Sequence, residues 1–531
     1  MIKVHGDLAN KIVIYDTTLR DGSQGEGISF SVEDKIRIAH KLDWLGVDYI
    51  EGGWPGSNPK DLEFFRLAAE QNWQHAKITA FSSTRRPGAG VKQDANIQTL
   101  AASGVSHCAI FGKTWDFHVL KALETTLEEN LRMVEETVAY LTARGIEVMF
   151  DGEHFFDGFK NNPDYALQVL KAARAGGAQW LVLCDTNGGC LPWEVEEIVA
   201  RVYAEVGGLL GIHAHNDSAC AVTNSLAAVK AGAAQVQGTI NGYGERCGNA
   251  DLSAIIPNLE LKMGREALPM GLLSRLTETA RFVAEIANMP HANGQPFVGY
   301  GAFAHKGGIH VSALAKDPLT YEHLNPEEVG NSRRVLVSEL SGMSNLLYKA
   351  RELGIEFDEQ DEAAREVVKQ LKELEHMGFQ FEGADASLEL FLRRHLSAYK
   401  DYFKLANFKI LVEKREEDGF NSEAMVKLGI ADEFVHTISE GDGPVNALDN
   451  ALRKALCSIF PAIGDMHLTD YKVRVLDGID GTAARVRVMI DSADQHDQWT
   501  TVGVSENIIE ASWQALEDSV NYKLLKDEIK S

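Results

Sequence analysis

The chain has 531 residues, of which 45% are apolar and only 13 are proline, a make-up that excludes a disordered chain and gives length enough for two or three domains with large cores. Its formal net charge of −25 excludes a polyanion-binding surface over most of the molecule, because neutralising phosphates takes clustered Lys and Arg, so no nucleic-acid partner is expected. No run of about 18 apolar residues occurs and the opening MIKVHGDLANKIVIYD holds no apolar core of signal-peptide length, so the expectation is a cytoplasmic protein with no membrane partner.

In chain order, short β-branched runs fall at 12–16 (IVIYD), 47–53 (VDYIEGG), 77–83 (KITAFSS), 107–113 (HCAIFGK), 146–153 (IEVMFDGE), 179–189 (QWLVLCDTNGG), 209–217 (LLGIHAHND) and 234–242 (AQVQGTING). Segments of helical period lie between them. Leu127, Leu131, Val134, Val138 and Leu141 repeat at spacings of four and three, and SVED at 31–34 reads as a helix start, with Ser31 as cap and Asp34 at the third helical position. Eight strand-then-helix units with a period near 30 residues predict an α/β fold, a (β/α)8 TIM barrel over residues 1–265, with an open doubly wound sheet as the alternative.

After residue 265 the pattern changes, and 266–400 reads as linker subdomains. QPFVGYGAFAHKGGIHVSAL at 295–314 reads as a glycine-rich irregular loop carrying His305 and His310, and DEQDEAAREVVKQLKELEHMG at 358–378 as a solvated helix. Residues 401–531 are internally duplicated. FKILVEK, EAMVKLGI and EFVHTISEG precede GPVNALDNALRKAL; YKVRVLDG, AARVRVMID and WTTVGVSEN precede IIEASWQALEDSV. Each half is strand, strand, strand, helix, which predicts an α+β module serving ligand sensing or assembly. The six cysteines, Cys108, Cys184, Cys190, Cys220, Cys247 and Cys457, form no CxxC pair, so reduced thiols are expected instead of a disulfide framework or a zinc ribbon.

Barrel enzymes build their sites at the C-terminal ends of the strands. There the sequence places Asp16, Arg20 and Asp21 after strand one, Asp151 and Glu153 on strand five, Asp185, Thr186 and Asn187 on strand six, His213 and His215 on strand seven, and Glu245 and Asn249 after strand eight. His213 and His215 are two apart and therefore share one face of a strand, while Ile212 and Ala214 take the other. With Asp21 and Asn249 they make a mixed nitrogen and oxygen set suited to Mn²⁺, Mg²⁺, Co²⁺ or Zn²⁺. Arg20 offers a fixed cationic fork beside that site, or is a surface ion pair. Glu153 either orients Arg20, assists proton transfer or is a solvated loop acid. The glycines of GYGERCG at 242, 244 and 248 miss the spacing of a dinucleotide fingerprint.

DTTLRDGSQ (16–24), GIHAHND (211–217) and GYGERCGNADL (242–252) together resemble the acyl-CoA-dependent Claisen condensing enzymes related to 2-isopropylmalate, homocitrate and citramalate synthases, within the wider group of metal-dependent lyase barrels. EGGWPGSNPKD (51–61) and the duplicated C-terminal module look most like the long citramalate-forming branch. The resemblance implies a metal site of Asp21, His213, His215 and Asn249, with Arg20 and Glu153 completing an Asp, Arg and Glu signature. It makes Thr186 a contact of the 2-oxo acid carboxylate and His310 a group that reaches the partner subunit's active site in a homodimer. It further implies condensation of pyruvate with acetyl-CoA, a first step toward isoleucine, and a C-terminal domain that senses the end-product amino acid, isoleucine. Trp54, near the end of strand two, either narrows the pocket toward pyruvate or belongs to the core. The alternatives are a 2-isopropylmalate synthase acting on 2-oxoisovalerate, a metal-dependent barrel hydrolase, and a noncatalytic amino-acid sensor. Hydrolase barrels resembling this one carry their HxH on the first strand, where this chain has DTTLRDG.

Overall fold

The computed structural model describes residues 10–336, 343–355, 362–381, 383–396, 399–415, 419–431, 433–476 and 484–530. Eight parallel strands close into a barrel in sequence order: β1 (Val13–Asp16), β2 (Tyr49–Gly53), β3 (Lys77–Ser83), β4 (His107–Lys113), β5 (Glu147–Glu153), β6 (Trp180–Asp185), β7 (Leu209–Ala214) and β8 (Gln235–Gly238). β1 pairs with both β2 and β8, so the sheet has no edge and the open-sheet alternative is excluded.

Alternation sorts each strand between two cores. Val13, Tyr15, Tyr49, Phe81, Ala109, Met149, Trp180, Val182 and Cys184 fill the barrel interior. Their neighbours Ile14, Ile50, Ala80, Cys108, Phe150, Leu183, Ile212 and Val236 face the surrounding helices. The helix Leu127–Thr142 buries Val134, Val138 and Leu141 on that outer layer, as its period demands. The helix Val32–Leu45 starts on a reciprocal cap between Ser31 and Asp34.

Two compact units divide the chain: 10–303 of the described residues with Leu324–Arg333, and Ala304–His323 with the described residues from Arg334 onward. The second unit corrects two expectations. The 295–314 stretch is not irregular throughout: β9 (Ala304–His305) pairs with β10 (Arg334–Val335), and Gly308–Leu314 is a helix, because Val311 and Leu314, three apart, bury on one face. Nor is the charged 358–378 segment simply solvated. Its helix, Glu362–His376, buries Ala364, Val367 and Leu371 and joins Leu388, Phe391 and Leu392 in a small helical core; residues 356–361 lie outside the described residues.

The C-terminal halves form two antiparallel sheets, β11 (Lys404–Arg415), β12 (Gly419–Ile430) and β13 (Glu433–Gly441), then β14 (His467–Val475), β15 (Val486–Ala493) and β16 (Gln498–Ser505). The helices Pro444–Leu456 and Ile508–Lys530 follow them. Both halves share one core, in which Ala424, Val426 and Leu428 meet Leu448 and Leu452, and Val488 and Ile490 meet Ala511 and Leu516. On strands β11, β13 and β14 large apolar side chains stay exposed, among them Leu411, Phe434, Ile438 and Val475.

One acid in this unit is held away from its ordinary range. Burial, reinforced by Asp518, pushes the Glu517 carboxyl up from 4.5 to about 7, while Trp513 Nε1 donates to its Oε2 at 3.2 Å. Between those two pH values the folded chain binds more protons than the unfolded one, so this group's contribution to stability falls as pH rises from about 4.5 to about 7. Glu517→Gln is therefore expected to stabilise the chain at pH 8 by on the order of 2 kcal/mol, with the gain vanishing toward pH 4.5. Thermal unfolding across that pH range reads it; an equal effect of the substitution at both ends contradicts it.

Candidate active site

At the C-terminal mouth of the barrel, the turn after β1 is wound tightly enough to aim two consecutive side chains inward. The Thr17 carbonyl accepts from the backbone N–H groups of Arg20, Asp21 and Gly22 at 2.9–3.2 Å. Asp16 accepts from Thr18 N and Thr18 Oγ1, both at 2.9 Å, and that hydroxyl accepts from Ile240 N at 2.9 Å, tying this loop to the one after β8.

Across the mouth, the side chains of Asp21, His213 and His215 converge, and the structure brings one donor atom of each within 4.8 Å of the others. His213 Nε2 is 3.2 Å from Asp21 Oδ2 and 3.3 Å from His215 Nε2; all three residues are buried. Gln237, paired with His213 across β7 and β8, places its Oε1 3.0 Å from His213 Nδ1 and its Nε2 3.2 Å from Asp151 Oδ1. An amide oxygen there takes the Nδ1 proton, so Nε2 is the nitrogen that faces the cluster; burial works against charge on this imidazole, but Asp21 outweighs it and raises the His213 pKa, and a cation would take the place of the Nε2 proton. Burial opposes charge on Asp21, yet Arg20 and His213 outweigh it and hold the carboxyl far below the usual range. Burial and His213 push His215 down to about 4, which keeps its imidazole neutral.

Asn249 adjoins this group through a backbone bridge to His215. Its Nδ2 donates to the Tyr243 carbonyl at 3.1 Å, while its buried Oδ1 meets no donor among the described residues. A buried amide oxygen with no partner, beside two imidazoles and a carboxylate, is the donor set a divalent cation takes. Gly248 makes the approach possible: it sits at φ +86°, and a Cβ there would lie 2.0 Å from the Gly242 carbonyl oxygen.

The cluster opens into a cavity of about 230 Å³ lined by Arg20, Trp54, Phe81, Phe111, Glu153 and Thr186, among others. The Arg20 guanidinium stacks 3.8 Å over the Phe81 ring, and Trp54 stands edge-on to Phe81 and Phe111, each at 5.7 Å. Trp54 is thus part of the wall. Thr186 Oγ1 accepts from His154 N at 2.9 Å, so its own hydroxyl proton is free to donate into the cavity.

One expectation changes. Arg20 is oriented by Glu51, not by Glu153: its Nε donates to Glu51 Oε1 at 2.6 Å, and the Tyr15 hydroxyl donates to Glu51 Oε2 at 2.7 Å. Glu153 instead pairs with Lys113. His310 is exposed on the helix Gly308–Leu314 of the second unit, stacked on Tyr321 at 4.0 Å; the expectation for it concerns the active site of a second copy of the chain. Glu51 lies in the middle of β2, followed there by Gly52 and Gly53, so the strand-end rule that found the other acids passes over it, and Gln237 faces inward on β8 two residues from Gln235. Because Gln237 sets the tautomer of a ligand, Gln237→Leu is expected to weaken Mn²⁺ binding about 10–100-fold, measured by calorimetry; unchanged affinity removes Gln237 from the metal's support.

The HMGL-like family model matches residues 11–283, the homocitrate synthase post-HMGL domain-like model 297–378, and the LeuA allosteric (dimerisation) domain model 382–524. The chain is 56% identical to an (R)-citramalate synthase of Aquifex aeolicus over 98% of this chain and 99% of that one. It is 55% identical to an (R)-citramalate synthase of Geobacter sulfurreducens over 97% and 98%. To a 2-isopropylmalate synthase of Sulfolobus acidocaldarius the identity is 36% over 71% of this chain and 94% of that one. With a closed barrel, a cation-ready cluster at its mouth and these matches along its length, the chain belongs to the HMGL-like family, in its (R)-citramalate synthase branch.

Proposed function

We propose that this chain condenses pyruvate with acetyl-CoA and water to (R)-citramalate and CoA, an entry step toward isoleucine carried out in the cytoplasm. The observation that carries the reading is the convergence of Asp21, His213 and His215 beside an arginine fixed by a buried carboxylate. A divalent cation (Mn²⁺, Mg²⁺, Co²⁺ or Zn²⁺) held by these three and Asn249 would supply Lewis-acid polarisation of the keto oxygen.

The side chains do the rest. Arg20, locked between Glu51 and the Phe81 face, presents its remaining N–H groups to the alkoxide that grows as the ketone is attacked. Thr186 donates its hydroxyl proton to the substrate carboxylate. Removing a methyl proton from acetyl-CoA falls to His310 of the second subunit in a homodimer, with Glu153 or a water assisting. Hydrolysis of the thioester then releases CoA and makes the step irreversible.

The LeuA allosteric (dimerisation) domain match and the exposed apolar side chains on strands β11, β13 and β14 support dimerisation through the C-terminal sheets; isoleucine, the end product of the proposed route, is the effector proposed for that domain. The order of the matches, 11–283, 297–378 and 382–524, supports a three-part division, for which the proposed bounds are a barrel over 1–265, linker subdomains over 266–400 and a regulatory domain over 401–531. A cavity walled by Trp54, Phe81 and Phe111 favours the small methyl of pyruvate over the isopropyl group of 2-oxoisovalerate. The position of the HxH pair on β7 and the intact Arg20 and Asp21 disfavour the hydrolase and sensor alternatives.

Thiol release from acetyl-CoA tests the reading. It is expected with pyruvate, to be lost on chelation and restored by Mn²⁺, and to be weak with 2-oxoisovalerate; release with 2-oxoisovalerate but not pyruvate contradicts it. Saturating isoleucine is expected to lower the rate, and an unchanged rate removes isoleucine as the effector.

A further inference from the structure

The aromatic wall is held in place from outside the cavity. Trp54 Nε1 donates to Asn96 Oδ1 at 2.6 Å. The Asn96 amide is itself oriented, since its Nδ2 donates to Ser82 Oγ at 2.8 Å and Ser83 Oγ at 3.3 Å, at the end of β3. Asn96 lies in the first turn of the helix Ala95–Ala102, whose cap, Asp94, accepts from its backbone N–H at 3.0 Å. Gly56 leaves room for the amide: a Cβ there would fall 2.2 Å from Asn96 Oδ1. The Trp54 backbone is fixed as well, because its N–H donates to Asp61 Oδ2 at 2.9 Å and Asp61 pairs with the buried Lys35. Asn96 does not line the cavity, so nothing in the chemistry of condensation calls for it.

We propose that Asn96 is a positioning residue that sets the upper size limit of the 2-oxo acid side chain by pinning the Trp54 indole across the cavity wall. The proposal rests on the condensation reading above. An indole free to turn would open space beside Arg20 for one more carbon. Turning it here breaks the bond to Asn96 and leaves the indole N–H and the amide oxygen unpaired. The wall therefore resists a longer substrate through rigidity, beyond the volume the ring itself occupies.

The test compares kcat/KM for pyruvate and 2-oxobutyrate in the native chain, Asn96→Ala, Asn96→Asp and Gly56→Ala. An extra methylene in an apolar pocket is worth roughly 10–200-fold, so Asn96→Ala and Gly56→Ala are expected to cut the preference for pyruvate by about tenfold, through a lower KM for 2-oxobutyrate. Asn96→Asp keeps an acceptor for the indole, and the two serine hydroxyls turn to donate to it, so it is expected to retain the native preference. Equal losses on both substrates in Asn96→Ala, or a preference in Asn96→Asp that matches Asn96→Ala, overturn the proposal. The native arm reads the condensation itself. Should the native chain turn over neither acid, that reading fails on its own, and the ratio of dissociation constants for the two acids by calorimetry, native against Asn96→Ala, still decides whether the pin limits size.

Discussion

Two imidazoles and a carboxylate forced together out of water are the constraint around which this molecule is organised. His213, His215 and Asp21 are each buried, and three such groups at 3.2–3.3 Å spacings are costly to desolvate unless something shares their lone pairs. Much of the surrounding architecture answers that demand. Gln237 holds the distal nitrogen of His213, Arg20 lies 3.5 Å from Asp21, and the glycine loop after β8 brings Asn249 within reach.

A second layer of charge lies beneath the first. Glu51 is fully buried and shares its two oxygens between Arg20 and Tyr15, which raises the Tyr15 hydroxyl well above its ordinary range, burial acting first and Glu51 next. Asp151, pushed up to about 7 by burial and by Glu51, accepts from Gln237. The barrel interior thus alternates apolar filling with a polar floor under the cavity. Arg20 cannot relax toward solvent without stranding Glu51, so the fold keeps the guanidinium where charge develops during attack on a ketone.

Periodicity and strand-end position carried most of this in the sequence. The eight β-branched runs match the eight strands within a few residues, and the polar residues at their C-terminal ends gather at one mouth because a closed parallel barrel leaves them no other place. What position along a strand does not encode is pairing across the barrel. Glu153 ends β5 and Glu51 lies in the middle of β2, and only the closed geometry puts Glu51 beside Arg20 and gives Glu153 to Lys113. Gln237 looked like an ordinary interior residue because its role depends on register with His213. His310 stood in a glycine-rich stretch, where two apolar residues three apart were too short a signal to announce a helix.

The account stands or falls on where a cation sits. Crystals grown with Mn²⁺ and measured for anomalous scattering should show one strong peak about 2.0–2.3 Å from His213 Nε2, His215 Nε2 and an Asp21 oxygen, with the Asn249 amide oxygen turned toward it. A peak elsewhere in the barrel, or none with the two imidazoles still hydrogen-bonded to protein alone, would contradict it.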